Sequence, residues 1–187
     1  DHLVIHKALA TAAGAPGRLQ RVALGVAWNS RGPVVFVDYA HTPDALEKVL
    51  LTVKALPHRQ LFCVFGCGGD RDNGKRPVMG AIAAKYSNVA IITDDNPRTE
   101  DPDKIVAQIL AGVISVSGEV KSPEWLRQRR QGQRGAVVIR DRRDAIALAI
   151  RAAGPEDIVV IAGKGHETYQ LTLQGKKFFD DQMKKKN

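Results

Sequence analysis

The chain has 187 residues, of which 44% are hydrophobic and 5% aromatic, and it carries a formal net charge of +8. This size and composition are typical of one soluble globular domain with a small appendage. They exclude a membrane-spanning chain, because no apolar run approaches the roughly 18 residues that such a helix needs. The first residues also lack a signal-peptide pattern, so we expect a cytoplasmic protein without membrane insertion.

The basic charge raises the possibility of a nucleic-acid partner. Much of the excess lies in residues 121–134 and 184–186, which resemble solvated, poorly ordered segments rather than one helix face. Base-stacking aromatic residues are not interleaved with these cations, so we expect no nucleic-acid partner. Cys63 and Cys67 indicate small reduced thiols, because a four-residue spacing without a second pair is a weak zinc signal.

The chain opens with an alanine-rich, helix-compatible stretch over residues 3–13, which ends in a run of glycine and proline. We interpret residues 1–17 as the tail of a preceding domain with its linker. A strand within residues 18–26 follows, and the polar residues 29–33 predict a turn after it.

The first strand–loop–helix unit begins with an apolar strand over residues 34–37. Thr42 and Pro43 then predict a helix cap and a first helical residue. The helix that they open has apolar residues at the spacing of one buried face, namely Leu46, Val49, Leu50 and Val53.

Two further units of this kind follow. Residues 60–65 form the second apolar strand, and a glycine-rich loop over residues 66–76 leads to a short helix that Pro77 opens. The third strand covers residues 89–93. Asp101 would cap its helix, whose inward-facing residues are Ile105, Ile109, Leu110 and Val113.

Residues 117–135 interrupt this rhythm with glycine, proline, glutamine and arginine, and we interpret them as an extended surface insertion. A strand over residues 136–139 follows, and Asp141 with the acidic residue three positions later predicts a capped helix. A last buried strand over residues 158–161 precedes a closing hairpin within residues 169–179.

Alternating apolar strands and helices of these lengths predict a largely parallel sheet covered by helices on both faces. In such a sheet ligands bind at the carboxyl ends of the strands, where the strand-to-helix loops open onto one crevice. Five loops therefore carry the candidate site residues: 38–41, 66–76, 94–98, 141–143 and 163–167.

The loop Asp94-Asp95-Asn96-Pro97-Arg98 offers both signs of charge at one strand end. An arginine guanidinium matches a carboxylate in shape, whereas aspartate and asparagine oxygens accept hydrogen bonds from an ammonium group. This loop could therefore hold both charged ends of an amino acid.

Residues 69–76 nearly match a phosphate-binding loop, but Arg76 stands where a Ser or Thr would bind magnesium, and two aspartates would repel phosphate. We favour a loop that places Arg71 in the crevice, with simple turn-forming glycines as the alternative.

Two other loops allow both a functional and a purely structural interpretation. Asp38 and His41 could face a ribose, a phosphate or the water of a metal ion, or they could be structural residues at a strand end. The loop from Gly163 to Glu167 could bind phosphate or an ammonium group, or it could form only a glycine turn.

Four motifs, taken in order, give the chain a resemblance to the C-terminal domain of the Mur ligases, and among these to the members that add meso-diaminopimelate. The motifs are Asp38-Tyr39-Ala40-His41-Thr42-Pro43, Gly66-Cys67-Gly68-Gly69-Asp70-Arg71-Asp72, Asp94-Asp95-Asn96-Pro97-Arg98 and Gly163-Lys164-Gly165-His166-Glu167. The resemblance implies a Rossmann-like, mostly parallel six-stranded sheet with an antiparallel edge and helices on both faces, over residues 18–181.

The resemblance also implies an ATP-dependent, amide-forming ligase of peptidoglycan synthesis. Such an enzyme phosphorylates the D-glutamyl γ-carboxylate of UDP-MurNAc-L-Ala-D-Glu before the amine of diaminopimelate attacks. The residues that match the family's amino-acid pocket are Arg71, Asp95, Asn96, Pro97, Arg98, Gly163 and Glu167. Arg98, assisted by Arg71, would bind the distal carboxylate, and Glu167 the distal ammonium. Lysine lacks that carboxylate, so Arg98 would determine specificity.

Arg18, Asp38 and His41 match positions that approach ATP as the domains of the family close. The chain has no counterpart of the family's central Gly-Lys-Thr phosphate loop, magnesium ligands or carbamylated lysine. We therefore expect no catalytic residue and no metal site in it. ATP, Mg²⁺ and the UDP-sugar substrate would bind through other domains, so this chain should not turn over alone. We expect a monomer with a disordered or truncated basic tail at residues 182–187.

Three alternatives stay open at this point. The first is a relative that adds lysine or another diamino acid. The second is a nucleotide- or nucleic-acid-binding module, suggested by the near phosphate loop and the basic charge. The third is a catalytically silent interaction domain, suggested by the missing ATPase machinery.

Overall fold

A computed structural model of the chain describes Val4, residues 14–25 and residues 32–182. It contains eight strands: β1 (Gln20–Val22), β2 (Val34–Asp38), β3 (Leu61–Phe65), β4 (Val89–Ile92), β5 (Gly135–Val138), β6 (Ile158–Ala162), β7 (Tyr169–Thr172) and β8 (Gly175–Phe178). Six of them form one sheet in the order β1-β2-β6-β3-β4-β5, and β7 pairs with β8 in a separate hairpin.

In the large sheet the neighbouring strands β2, β6, β3, β4 and β5 are all parallel, and β1 lies antiparallel to β2 at one edge. Every residue of β3, β4 and β6 is buried, because helices cover both faces of the sheet. The continuous apolar runs in the sequence have this origin. The predicted six-stranded, mostly parallel sheet with an antiparallel edge is confirmed.

Within residues 32–182, five helices surround the sheet: α1 (Pro43–Lys54), α2 (Lys75–Tyr86), α3 (Pro102–Ser117), α4 (Pro123–Gln128) and α5 (Arg142–Ala152). The predicted caps are confirmed, since Thr42, Asp101 and Asp141 each accept a hydrogen bond from a backbone N–H of the first turn. The apolar residues of α1, α2 and α3 pack on one face of the sheet, and those of α4 and α5 pack on the other.

The start of α2 differs from the prediction. The sequence suggested that Pro77 opens this helix, but it begins two residues earlier, at Lys75. Pro77 is tolerated inside the first turn because the N–H groups there have no carbonyl partner within the helix. Arg76, expected in the loop, is therefore a buried helical residue.

The segment over residues 117–135 contains more regular structure than its composition predicted. It contains α4, in which Leu126 is 1% exposed and packs into the core. The Arg129 guanidinium lies 4.7 Å from the Phe62 ring centroid and donates to Gln60 Oε1 at 2.8 Å. Arg134 donates to three carbonyls at the end of α2, those of Ala84, Lys85 and Ser87. Arginine stems can cover apolar surface, so composition alone could not distinguish these packed residues from solvated ones.

Several sequence predictions fall wholly or largely outside the described residues: the helix over residues 3–13, part of the turn at residues 29–33, and the basic residues 184–186. Across the described part of the chain, no helix has both the length and the apolar character needed to cross a membrane. Cys63 and Cys67 are free and buried, as predicted. Burial raises the pKa of each thiol to about 12, so both are protonated at neutral pH.

Candidate functional site

The candidate site lies at the carboxyl ends of the parallel strands, where the loops after β2, β3, β4 and β6 meet. Backbone hydrogen bonds connect these loops. Gly163 N–H donates to the Asp38 carbonyl at 3.0 Å, and Gly69 N–H donates to the Asn96 carbonyl at 2.9 Å. A Cβ on Gly69 would lie 2.0 Å from the Pro97 carbonyl oxygen, so only glycine allows this approach. Side chains from four distant parts of the sequence therefore face one another.

Lys164 is the buried centre of this site. Its Nζ donates to Asn96 Oδ1 and to the Tyr169 carbonyl, both at 2.8 Å. Asp95 Oδ1 lies 3.0 Å from the same nitrogen but accepts no hydrogen bond of good geometry from the described residues, so this contact is an ion pair. A fully buried ammonium needs such partners to offset its lost hydration. Asp95 Oδ1 and Asn96 Oδ1, on side chains predicted to accept from a ligand's ammonium, already contact the ammonium of Lys164.

Glu167 presents a partly exposed carboxylate beside this cluster, with 17% of its side chain accessible. Its Oε2 accepts from Asn96 Nδ2 at 3.2 Å, and its Oε1 accepts from the Tyr39 hydroxyl at 3.5 Å. Burial and the neighbouring Glu167 carboxylate raise the pKa of Tyr39, so the hydroxyl keeps its proton and can donate. The carboxylate is thus oriented from two sides while part of it faces solvent.

Arg98 contributes a guanidinium that has no ion-pair partner in residues 14–25 and 32–182. Its Nη1 donates to the Gly69 carbonyl at 2.8 Å and, more weakly, to the Asn96 carbonyl at 3.4 Å. Its backbone has a φ of 54°, and its N–H donates to the Leu171 carbonyl at 3.0 Å. Since a guanidinium has five N–H donors, this arrangement holds the group in place and leaves donors for an anion.

The β7–β8 hairpin supports the loop after β4. Leu171 N–H donates to Asn96 Oδ1 at 2.9 Å, and Gln170 Nε2 donates to the Asp95 carbonyl at 2.6 Å. Asn96 Oδ1 therefore accepts two hydrogen bonds from within the chain, and its amide nitrogen remains to donate towards Glu167. The hairpin, predicted only as a closing element, positions the site.

Asp94 belongs to the framework of the site. The Arg140 guanidinium, just beyond β5, donates from Nε and Nη2 to the two Asp94 oxygens at 2.7 Å and 3.1 Å, and Arg140 also pairs with Asp103. Hydrogen bonding to Asp94 raises the pKa of Arg140. This bidentate pair ties the loop after β4 to the neighbouring strand.

Arg76 connects the loop after β3 to the loop after β4. It is buried, and its two terminal nitrogens donate to Glu100 Oε1 and Oε2 at 2.6 Å and 2.7 Å. Its Nη2 also donates to the Gly68 carbonyl at 3.1 Å. The position at which a phosphate loop has Ser or Thr is thus a buried structural cation, and the phosphate-loop alternative is wrong. Arg71 lies at the exposed rim, where it donates only to the Asp70 carbonyl among the described residues.

The Arg76–Glu100 pair predicts a pH-dependent stability. Hydrogen bonding to Arg76 lowers the pKa of Glu100 from 4.5 to about 2. Between these two values the unfolded chain binds more protons than the folded one, so the pair stabilises the fold above pH 4.5 and this stabilisation is lost as pH falls towards 2. We expect urea unfolding to show a steeper acid loss of stability for the wild type than for Glu100→Gln. Parallel pH profiles for the two proteins would contradict this assignment.

A second cluster surrounds the Tyr39 ring. The Arg18 guanidinium lies 4.8 Å from the ring centroid, and the rings of His41 and His166 lie at centroid distances of 4.7 Å and 5.5 Å. This cationic and aromatic surface suits an anionic or π-stacking ligand. Because the Tyr39 hydroxyl contacts Glu167, the ring lies between the two clusters.

Asp38 has a different role from the predicted contact with a ribose or a metal-bound water. Its Oδ2 accepts from Leu19 N–H at 2.6 Å, and its Oδ1 accepts from Ala40 N–H at 2.7 Å. The side chain is buried, so it holds the segment that carries Arg18 against the end of β2. His41 is exposed, and its Nδ1 lies 2.9 Å from the Tyr39 carbonyl.

A separate cleft of about 310 Å³ lies at the amino ends of β4 and β5 and is lined by Lys85, Asn88, Lys121 and Arg134, among others. Its cations Lys121 and Arg134 are already bound to Glu119 and to backbone carbonyls. The converging unpaired donors and acceptors lie instead at the carboxyl edge, and we place the site there. Within the described ranges no cluster of three or more His, Cys, Asp or Glu side chains is arranged to hold a metal ion.

The structure brings Asp95, Asn96, Pro97, Arg98, Gly163 and Glu167 together and leaves Arg71 at the rim. The sequence reasoning did not assign roles to Lys164, Tyr39, Arg140 and Glu100. A lysine between two glycines was a usable signal for Lys164, and Tyr39 lay inside a recognised motif. The partners of Arg140 and Glu100 come from remote loops, so the sequence carried no signal for them.

Comparison with known proteins identifies relatives of the chain. A family model described as "Mur ligase, glutamate ligase domain" matches residues 17–165. The chain is 48% identical over 181 residues to the UDP-N-acetylmuramoyl-L-alanyl-D-glutamate–2,6-diaminopimelate ligase of Syntrophomonas wolfei, a match that covers 97% of this chain and 33% of that protein. A solved structure of a ligase with the same name aligns with a TM-score of 0.72 at 41% identity, over 97% of this chain and 33% of that one.

A more distant structure shares the fold alone. The Mycobacterium tuberculosis folylpolyglutamate synthase complexed with ADP and AMPPCP aligns with a TM-score of 0.56 at 21% identity, over 87% of this chain and 32% of that one. The chain spans about a third of the length of the curated relatives that it matches.

Proposed function

The chain belongs to the Mur ligase family, and from this premise we propose that it binds the incoming amino acid of an ATP-dependent, amide-forming ligase. The amino acid is meso-diaminopimelate, and the acceptor is UDP-MurNAc-L-Ala-D-Glu, a precursor of peptidoglycan. In this proposal the chain acts as one domain of a longer enzyme, whose other domains bind the acceptor and most of the ATP. The reaction takes place in the cytoplasm, where ATP is supplied.

One observation carries the proposal: a guanidinium and a carboxylate both contact Asn96. Arg98 Nη1 lies 3.4 Å from the Asn96 carbonyl oxygen, and Glu167 Oε2 lies 3.2 Å from Asn96 Nδ2. The distal end of diaminopimelate carries a carboxylate and an ammonium on one carbon atom. Opposite charges that contact one residue complement such a group in sign.

Each residue of the pocket then has a distinct task. Arg98 binds the distal carboxylate with its remaining donors, and Arg71 adds positive charge from the rim. Glu167 accepts hydrogen bonds from the distal ammonium. Asp95 and Asn96 act indirectly through Lys164, because Asp95 Oδ1 and Asn96 Oδ1 contact that buried ammonium. Gly163 has a φ of 115°, which favours glycine, and a Cβ at that position would lie in ordinary contact with Asp95 Oδ2 at 3.8 Å.

The chemistry requires that only one of two similar amines reacts. The γ-phosphoryl group of ATP moves to the D-glutamyl γ-carboxylate and gives an acyl phosphate and ADP. The uncharged proximal amine attacks the acyl carbon, so that a C–N bond forms. The C–O bond to phosphate then breaks, phosphate leaves with the electron pair, and the nitrogen loses a proton. Holding the distal end as a zwitterion keeps its amine protonated and aims the proximal amine at the acyl carbon.

The cluster around Tyr39 supports a role for Arg18 and His41 on the nucleotide side. Arg18 would contact phosphate or stack on the base, and Asp38 would act indirectly by holding Leu19 beside it. The donor set within the described residues does not form a magnesium site, so we assign Mg²⁺ to the other domains and derive no step through it.

Isothermal titration calorimetry of the full-length ligase that carries this domain tests the proposal. We expect meso-diaminopimelate to bind at least about ten-fold more tightly than L-lysine, because an unpaired Arg98 would be left in the lysine complex. Equal binding of the two amino acids would contradict the proposal and favour a lysine-adding enzyme. A duplex DNA titrated at low and at physiological salt serves as the control for non-specific anion binding.

A further inference from the structure

The Arg98 guanidinium lies directly over Gly68. A Cβ built on Gly68 would be 2.8 Å from Arg98 Nη1, which is closer than real Cβ atoms approach other atoms. The next nearest neighbours are the Asn96 carbonyl oxygen at 3.7 Å and Arg71 Cγ at 3.9 Å, both at ordinary contact distances. The absence of a side chain at Gly68 therefore creates the space that this guanidinium occupies.

The backbone of Gly68 does not itself require glycine. Its φ lies outside the left-handed range, in contrast to those of Gly163 and Gly165 at 115° and 55°. The left-handed strain that would penalise alanine is therefore absent at this position. The obstacle to a side chain at this position is the far end of Arg98, which can move.

Hydrogen bonds hold the backbone of Gly68 and Gly69 in place beneath the Arg98 guanidinium. The Gly68 carbonyl accepts a hydrogen bond from Arg76 Nη2 at 3.1 Å. Arg76 is fully buried and donates to both carboxylate oxygens of Glu100. The adjacent Gly69 is fixed to the Asn96 carbonyl through its N–H and to Arg98 Nη1 through its own carbonyl. An added methyl group at Gly68 would therefore displace the Arg98 guanidinium rather than the backbone of Gly68 and Gly69.

We propose that Gly68 is a specificity-determining residue. Because Gly68 has no side chain, the Arg98 guanidinium can lie against its backbone, and in this position it selects amino acids with a second carboxylate. This inference rests on the proposed function. Gly68 makes no ionic contact with the ligand and acts through Arg98, so it is a positioning residue.

The test is Gly68→Ala in the full-length ligase. We expect the KM for meso-diaminopimelate to rise about ten-fold, the loss typical of one displaced charge-assisted hydrogen bond. The KM for ATP should stay within about two-fold, and the preference for diaminopimelate over lysine should fall. Gly154→Ala is the matched control, because a Cβ there meets only atoms at 3.6 Å and 3.7 Å and lies before the amino end of β6, whereas the site lies at the carboxyl ends of the strands.

A double-mutant cycle with Arg98→Ala separates the inference from a general packing effect. Once Arg98 is removed, Gly68→Ala should cause little further loss, because the two changes act on the same group. An equal loss in both backgrounds would overturn the inference, and so would an unchanged KM in a folded Gly68→Ala enzyme. Failure of Gly68→Ala to fold would also overturn it, since the clash would then involve more than one mobile side chain.

The same experiment distinguishes failure of this inference from failure of the proposed function. If Arg98→Ala itself leaves the KM for diaminopimelate unchanged, the proposed amino-acid site is wrong. If Arg98→Ala impairs diaminopimelate use and Gly68→Ala does not, only the role of Gly68 is wrong.

Discussion

Replacing Arg98 with alanine in the full-length ligase should lower kcat/KM for meso-diaminopimelate about 100- to 1,000-fold, the range typical of truncating one partner of a buried charged pair. The guanidinium has no ion-pair partner among the described residues, and two carbonyls already hold it in position. A ligand carboxylate would therefore lose a preorganised partner. Steady-state kinetics with saturating ATP measures the effect.

Two comparisons sharpen this prediction. Arg98→Lys keeps the charge but loses the planar fork, so it should recover only a small part of the activity. Lysine as substrate has no distal carboxylate, so its slow turnover should change much less in Arg98→Ala than that of diaminopimelate. A parallel loss for both amino acids would show that Arg98 supports the fold or the ATP site instead.

Replacing Asp181 with alanine should destabilise the domain by about 3–5 kcal/mol, the usual cost of leaving a buried charge without its partner. The side chains of Arg142 and Asp181 are both 0% exposed, and Arg142 donates from Nε and Nη2 to the two Asp181 oxygens at 2.8 Å and 2.7 Å. Arg142 Nη1 already lacks a hydrogen-bond partner in the described structure, so removing Asp181 leaves the buried guanidinium with even fewer hydrogen-bond acceptors. Urea unfolding of the isolated chain measures the loss.

The surface pair Arg59–Glu156 supplies the matched control, because the Glu156 side chain is 71% exposed. Glu156→Ala should change the free energy of unfolding by less than about 0.5 kcal/mol. The double variant Arg142→Met, Asp181→Leu removes both buried charges and should be more stable than Asp181→Ala alone. A stability of Asp181→Ala close to that of the wild type would contradict the prediction.

The Arg142–Asp181 pair also bears on the site. Arg142 Nη2 donates to the Ala162 carbonyl at 3.0 Å, immediately before the loop that carries Lys164 and Glu167. The residues after the hairpin are thereby joined to the first residue of α5 and to the end of β6. The Asp181→Ala change should therefore increase local motion in the proposed amino-acid pocket as well as lower the stability of the fold.

The buried ammonium of Lys164 explains why acidic and amide oxygens in the loop after β4 are not available to a ligand. The polar oxygens of this loop favour an ammonium ligand, and that ammonium comes from the chain itself. An internal cation at this point neutralises Asp95 and partly balances Glu167. The exposed edge of Glu167 is then the acceptor that remains for a second ammonium.

Much of this architecture follows from the sequence alone. Buried parallel strands need apolar residues on both faces, so their runs were visible without coordinates, and the caps at Thr42, Asp101 and Asp141 are local patterns within four residues. The family motifs likewise located every loop that reaches the site. These features could be predicted because each depends on residues that are neighbours in the chain.

The tertiary structure alone decided which charges are partners. Asp94 bonds to Arg140, Glu100 to Arg76 and Asp181 to Arg142, and each pair joins elements 24 to 46 residues apart. Residue types indicate what a side chain can bind, but the distance between two loops is set by the packing of the whole sheet. For this reason the sequence pointed to the carboxyl edge of the sheet, and only the fold separated the ion pairs that build this edge from the Arg98 guanidinium and the exposed part of Glu167, which we propose contact the ligand.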